Sequence, residues 1–262
     1  MKRKAGIEEY LNQSRKMKII PNFWLTEAYL KIQKVQTIIN KKGIWIQEDE
    51  WAVFPPLPFN GNFREEDFPP LRIWSDFENY AIGEVTEFLD WEYTYDANHF
   101  FNMTGKKWAV FRKNSRKWPR DKVWEYSVKL PKSDHLEMLL LKWLEKRPEE
   151  VIHDQEAMWW FIFKSPLRCF LYEKDKLVGM NAWDCNEPFL MYRYCIADPD
   201  EPFLDEFMRL LFYQRNAAGK LVIDGGVLDR PGLERFKDKL NPIRKRKVYS
   251  RIIPENFDRL LH

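Results

Sequence analysis

Three side chains of types that can do chemistry stand out. Asp224 follows the apolar run Leu221–Ile223 and precedes Gly225 and Gly226, which places a carboxylate at the end of a predicted strand. A carboxylate there can grip an amino group or serve as a base. Lys237 offers a cation for a developing negative charge, and Tyr95 offers a hydroxyl from a strand-like run. Asn181, Trp183 and Arg193 lie on or beside predicted strands that would face the same cleft. With Gly225, Gly226 and Arg235 they form the candidate substrate contacts. Each also has an ordinary structural role open to it: Asp224 as a cap or turn residue, Tyr95 and Trp183 as core, and Arg193 as half of an ion pair.

Positive charge is gathered in two places. Between Thr104 and Lys122 there are eight Lys/Arg against the single acid Asp121, so this segment carries +7 while the whole chain carries +3. At 100° per residue, Trp108, Phe111, Ser115 and Trp118 share one helix face. Lys106, Lys113 and Lys117 lie opposite, with Arg112 and Arg116 between. With Lys107 these are the candidate phosphate contacts. A second cluster, Arg230–Arg251, holds nine Lys/Arg and the acids Glu234 and Asp238. If the fold joins the clusters they would form one anion-attracting cleft; otherwise they are solvated helix faces.

Composition closes off other classes. At 262 residues, 45% hydrophobic and 16% aromatic, the chain can bury a sizeable core and is not globally disordered. Cys169, Cys185 and Cys195 are an odd set without C-x-x-C spacing, which points to a reducing cytoplasm rather than a disulfide scaffold. His99, His135, His153 and His262 share no metal-ligand spacing, so no metal site is expected. No apolar run reaches transmembrane length.

The elements that must position these residues follow from periodicity. Residues 1–20 read as a polar N-terminal arm, ordered on contact, or a short helix. Leu25, Tyr29, Ile32, Val35 and Ile39 predict one amphipathic helix ending before Gly43. A small hairpin follows, then a strand alternating through Val85, Leu89, Tyr93 and Tyr95. Asp96 is placed to cap a short helix ending near Gly105, and the basic helix runs from Lys106 to Trp118, stopped by Pro119. Past Pro131 the predicted order is α-α-β-β-β-α-β-α-β. That is the order of an acetyltransferase-like (GNAT) domain. The fold class expected is therefore α+β, with mixed, mostly antiparallel sheets in two such halves, residues 21–125 (degenerate) and 126–262.

Two motifs carry a resemblance. Tyr93-Thr94-Tyr95-Asp96 is followed by Met103-Thr104-Gly105-Lys106-Lys107 and Phe111-Arg112-Lys113-Asn114. Gly232-Leu233 is followed by Lys237 and then Pro242. In order and separation these resemble the C-terminal domain family of phosphatidylglycerol lysyltransferase, tandem acetyltransferase-like proteins akin to the Fem-type aminoacyl transferases. The family's arginine after Gly-Leu is Glu234 here, with Arg235 next. The resemblance implies acyl or aminoacyl transfer to an amine or hydroxyl acceptor. A non-catalytic nucleic-acid-binding module and a pseudoenzyme scaffold are the other readings.

In simple acetyltransferases of this superfamily, bare backbone N–H groups before a helix cradle the coenzyme A pyrophosphate. Here that turn is Asp198-Pro199-Asp200-Glu201-Pro202, with five acids and no base through Glu206. Acyl-CoA is therefore the less favoured donor, and no permanently bound cofactor is expected. Aminoacyl-tRNA suits the basic clusters better, with Trp108 and Trp118 available to stack on unpaired bases.

Overall fold

The computed structural model describes residues 3–49, 51–54, 56–60, 72–73, 84–146, 155–227 and 230–252. The chain forms two compact units, Met1–Glu92 with Arg246–His262, and Tyr93–Lys245. The sequence had suggested a boundary near residue 125. The second unit begins earlier because Tyr93–Asp96 pairs with Leu221–Asp224, a strand of that unit.

In the first unit, strands β1 (Arg3–Ala5), β2 (Gln36–Ile39), β3 (Gly43–Glu48) and β4 (Trp51–Ala52) form a sheet in that order, with β5 (Leu57–Pro58) also on β3. Helix α1 (Ile7–Lys16) buries Tyr10 and Leu11 against Leu25, Leu30, Ile44, Ile46 and Phe54. Of the two readings, arm or short helix, the helix is the one present, and its Tyr10 and Leu11 are core. The single helix expected across residues 25–39 is two elements, α2 (Glu27–Ile32) and β2. Lys34 adopts φ +57°, which an α-helix cannot contain, and the apolar residues beyond it serve a strand. Strand β6 is Arg72–Ile73. Strand β7 (Glu84–Asp96) forms where a strand is predicted, but Asp90, Glu92 and Thr94 are buried along with Tyr93 and Tyr95, so it does not alternate as expected; it leaves the first unit at Glu92.

The second unit is built on a sheet whose order is residues 93–96 of β7, then β12 (Leu221–Asp224), β11 (Phe189–Ala197), β10 (Lys176–Asn186), β9 (Arg168–Glu173) and β8 (Trp124–Ser127). All neighbours are antiparallel except β11 and β12, which run parallel from Phe189/Leu221 to Tyr192/Asp224. Helices α5 (Ser133–Glu145) and α6 (Gln155–Phe163) pack on β10 and β11, as does α7 (Leu204–Leu211). Helix α7 continues as a π-helical turn over Phe212–Asn216, closed by Gly219 at φ +74°. Leu204, Phe207, Met208 and Leu211 seat it on Leu171, Val178 and Ala197. Gly179 permits that seat: a Cβ there would lie 3.0 Å from Met208 Sδ and 3.2 Å from the Ile196 carbonyl oxygen.

The basic stretch is α3 (His99–Asn102), a 3₁₀ turn at Lys106–Trp108, and α4 (Ala109–Ser115). Asp96 accepts from the Asn98 backbone N–H rather than capping α3 as its N-cap, which is Asn98. Helix α8 (Pro231–Lys239) and β13 (Arg244–Ile252) end the described chain, and β13 re-enters the first unit at Arg246. No described helix is long and apolar enough to cross a membrane.

Candidate functional site

Strands β11 and β12 stop pairing at Tyr192 and Asp224, so Asp224 stands where a parallel pair parts. Its carboxylate is buried, and both oxygens are taken. Arg209 Nη1 donates to Oδ2 at 2.6 Å, and Lys237 Nζ donates to Oδ1 at 3.0 Å. Lys237 also donates to the carbonyls of Gly225 and Gly226, the latter at 2.8 Å. Tyr95 completes the group by donating from its hydroxyl to the Lys237 carbonyl at 3.1 Å. All three residues expected to carry chemistry are therefore together, with Gly225 and Gly226 beside them.

Their electrostatics differ from the expectation. Burial pushes the Asp224 carboxyl up, but the Lys237 and Arg209 charges outweigh it and hold the group below the usual carboxylate range. In this arrangement Asp224 is ionised and both of its oxygens are held. Burial, reinforced by the Asp224 charge, keeps the Tyr95 hydroxyl protonated. Arg209 was not singled out from sequence. It lies against the rings of Tyr192 and Phe236, 4.9 and 5.2 Å from their centroids.

The remaining candidates separate. Asn181 is buried in a polar chain, donating to Tyr126 Oη at 3.0 Å and the Met208 carbonyl at 2.9 Å, and accepting from the Tyr192 hydroxyl. Trp183 packs on Phe212. Arg193 pairs with Asp184 at 3.4 Å and lies over Phe161. Arg235 is exposed on α8.

The basic helix presents Lys106, Lys107, Lys113, Arg116 and Lys117 to solvent. Arg112 is half-buried and donates to the Met103 carbonyl. Trp108 packs edge-on against Phe100 and Phe111, and Trp118 stacks on Phe207 while its Nε1 donates to Glu201. Both rings are core, so neither can stack on a base as expected.

Part of the second cluster is internal, while Arg235 and Lys247 are exposed. Lys237 and Arg246 are buried, Lys239 pairs with Glu206 at 3.0 Å, and Lys245 pairs with Glu234 at 2.6 Å and Asp238 at 3.4 Å. Spacing alone cannot distinguish such internal pairs from a basic stripe. The acid-rich turn is likewise answered by distant bases. Asp198 holds Lys142 at 2.5 Å and Lys176 at 3.0 Å, and Glu201 holds Lys122 at 2.6 Å. Among the described residues, no group of His, Cys, Asp or Glu could hold a metal ion.

No family model matches the chain, and no curated protein matches it. Solved structures do. A conserved protein of unknown function from Bacteroides thetaiotaomicron superposes with a TM-score of 0.73 at 13% identity, covering 97% of this chain and 100% of that one. L-PGS from Bacillus licheniformis gives 0.61 at 14% identity, covering 94% and 91%. A tandem GNAT protein from the clavulanic acid biosynthesis pathway gives 0.55 at 8% identity, covering 95% and 96%. The chain thus has the α+β, tandem acetyltransferase-like fold that its motifs resemble. At these identities the likeness establishes the fold, not the reaction.

Proposed function

We propose that this chain is an acyl or aminoacyl transferase that works at the Asp224 cluster. One observation carries the reading: two buried cations, Arg209 and Lys237, share one carboxylate where β11 and β12 part. Buried cations are costly unless matched by negative charge. A group that develops negative charge, such as the carbonyl oxygen of an ester under attack, is what such a site stabilises. Lys237 is the residue to supply that donor, by exchanging its Gly226 partner for the oxyanion. Arg209 and Asp224 position it.

Aminoacyl-tRNA is favoured over acyl-CoA as donor. The backbone groups before α7 are already used: Asp200 N–H donates to Asp198 Oδ1, Glu201 N–H to the Asp198 carbonyl, and Leu204 N–H to the Glu201 carbonyl. Few are left for a pyrophosphate. The exposed Lys106, Lys107, Lys113, Arg116 and Lys117 suit a polyphosphate backbone.

A second reading has its own observation. With both Asp224 oxygens and three Lys237 contacts satisfied internally, the cluster also suits a scaffold that retains the fold without the reaction. One experiment separates them. The protein is incubated with tRNA charged with labelled amino acids, or with labelled acyl-CoA, plus a cell extract as the source of acceptors. Label leaving charged tRNA for an acceptor, and lost in Lys237→Met, supports the transferase. Label that stays on both donors supports the scaffold.

A further inference from the structure

A cavity lies away from the Asp224 cluster. It encloses about 520 Å³ between α5, the β9–β10 turn and the end of β11, within the size range of small-molecule sites. Met138, Leu139 and Leu177 give it an apolar wall, and Lys142, Lys176, Asp175, Asp198 and His135 give it a polar rim. Met138 is 67% exposed, a large apolar surface without cover.

The rim's hydrogen-bonding capacity is only partly used. Asp198 is spent on Lys142, Lys176 and the Asp200 N–H. Lys142 gives two of its N–H groups to Asp198 and Asp200, and Lys176 gives one to Asp198. An ammonium has three donors, so both lysines keep N–H groups to spare. Across the rim, Asp175 has no side-chain partner among the described residues. The cavity therefore offers spare cationic donors, one spare carboxylate and an apolar wall. The lysines and aspartates of its lining sum to zero charge.

We infer that this cavity binds a zwitterionic α-amino acid with an apolar side chain. The ligand carboxylate takes the spare donors of Lys176 and Lys142, its ammonium meets Asp175, and its side chain covers Met138, Leu139 and Leu177. A ligand with only a negative charge would face Asp175 uncompensated, and one with only a positive charge would face the two lysines. Either mismatch favours the zwitterion over the singly charged ligand. The inference does not rest on the transferase reading, because binding needs no donor and no reaction.

The test is titration calorimetry on the whole chain with L-leucine, alongside isoamylamine, which lacks the carboxylate, and isocaproate, which lacks the ammonium. L-leucine is expected to bind about tenfold or more tighter than either, the worth of one charge-assisted hydrogen bond. Asp175→Asn and Lys176→Gln are each expected to weaken it by about tenfold, and Asp175→Asn, whose carboxylate sits on the exposed rim, is expected to do so without lowering Tm. L-leucine that does not bind, that binds no better than its two analogues, or that binds both variants as well as the parent overturns the inference.

Discussion

Arg209 and Asp224, fifteen residues apart, meet in a buried 2.6 Å contact, and Asp224 is also the carboxylate that Lys237 holds. Removing one partner of a buried pair costs about 3–5 kcal/mol. Arg209→Met and Asp224→Asn should each lose that much in denaturant unfolding. The double variant should lose less than the sum, because the two act as one unit. Additive losses would show that the pair is not coupled.

The same carboxylate sets an acid limit. Asp224 has a depressed pKa in the folded chain, so the unfolded chain binds its proton more readily. Its stabilisation is complete above the unfolded value of about 4 and is lost as pH falls below it. Asp224→Asn should flatten the acid limb of the stability profile below about pH 4. An acid limb unchanged by the substitution would contradict this.

Asp205 behaves oppositely. The neighbouring Glu206 carboxylate pushes it up, while that same contact, with Lys239 and Asn114, holds Glu206 down. Between the unfolded value of about 4 and the folded value, the folded chain holds the Asp205 proton more tightly. Stability should therefore fall as pH rises through that window, and Asp205→Asn should abolish the fall. Unfolding curves from mildly acidic to neutral pH would decide it, and a variant that still declines would contradict the assignment.

Five exposed cations on the basic stretch predict salt-sensitive binding of tRNA. Five neutralised phosphates on duplex-like RNA give a log–log slope near about −4, and charge reversal at Lys113 and Arg116 should flatten it by roughly two. Arg112, engaged with Met103, should contribute little to that slope. Binding that barely responds to salt would remove this face from consideration.

Gly179→Val should be among the costliest single changes in the second unit. A Cβ there already crowds Met208 and the Ile196 carbonyl, and the added methyls would push α7 off its strands. Overpacking of this kind costs about 1–3 kcal/mol. A variant of parental stability would show that α7 can shift.

The second unit was legible because its signals are local. Leu221–Asp224, the Glu173–Lys176 turn and α8 lie where apolar runs, turn residues and Pro231 put them. Tyr95, Asp224 and Lys237 came together because a strand end and two spaced motifs marked them. Arg209 gave no such mark. On the helical wheel it falls on the polar side of α7, away from Leu204, Phe207, Met208 and Leu211. That side is buried too, with Glu206 reaching Asn114 and Lys239, and only tertiary packing reveals it. The residue 25–39 run failed for another reason. Its apolar spacing serves a helix and a strand equally well, and one left-handed residue divides them.

The first unit is discontinuous in sequence, and the ribosome therefore delivers it in two instalments. Glu92 is buried, and its guanidinium partner Arg246 lies 154 residues further on. At about 5–20 residues per second, the carboxylate waits on the order of ten to thirty seconds for its cation. The whole of residues 93–245 emerges in that interval, as one uninterrupted segment whose ends are tied by the Ile243 N–H donating to the Thr94 carbonyl at 2.8 Å. A nascent chain arrested just before Arg246 would carry a second unit complete in sequence and a first unit in which Glu92 lacks its Arg246 partner.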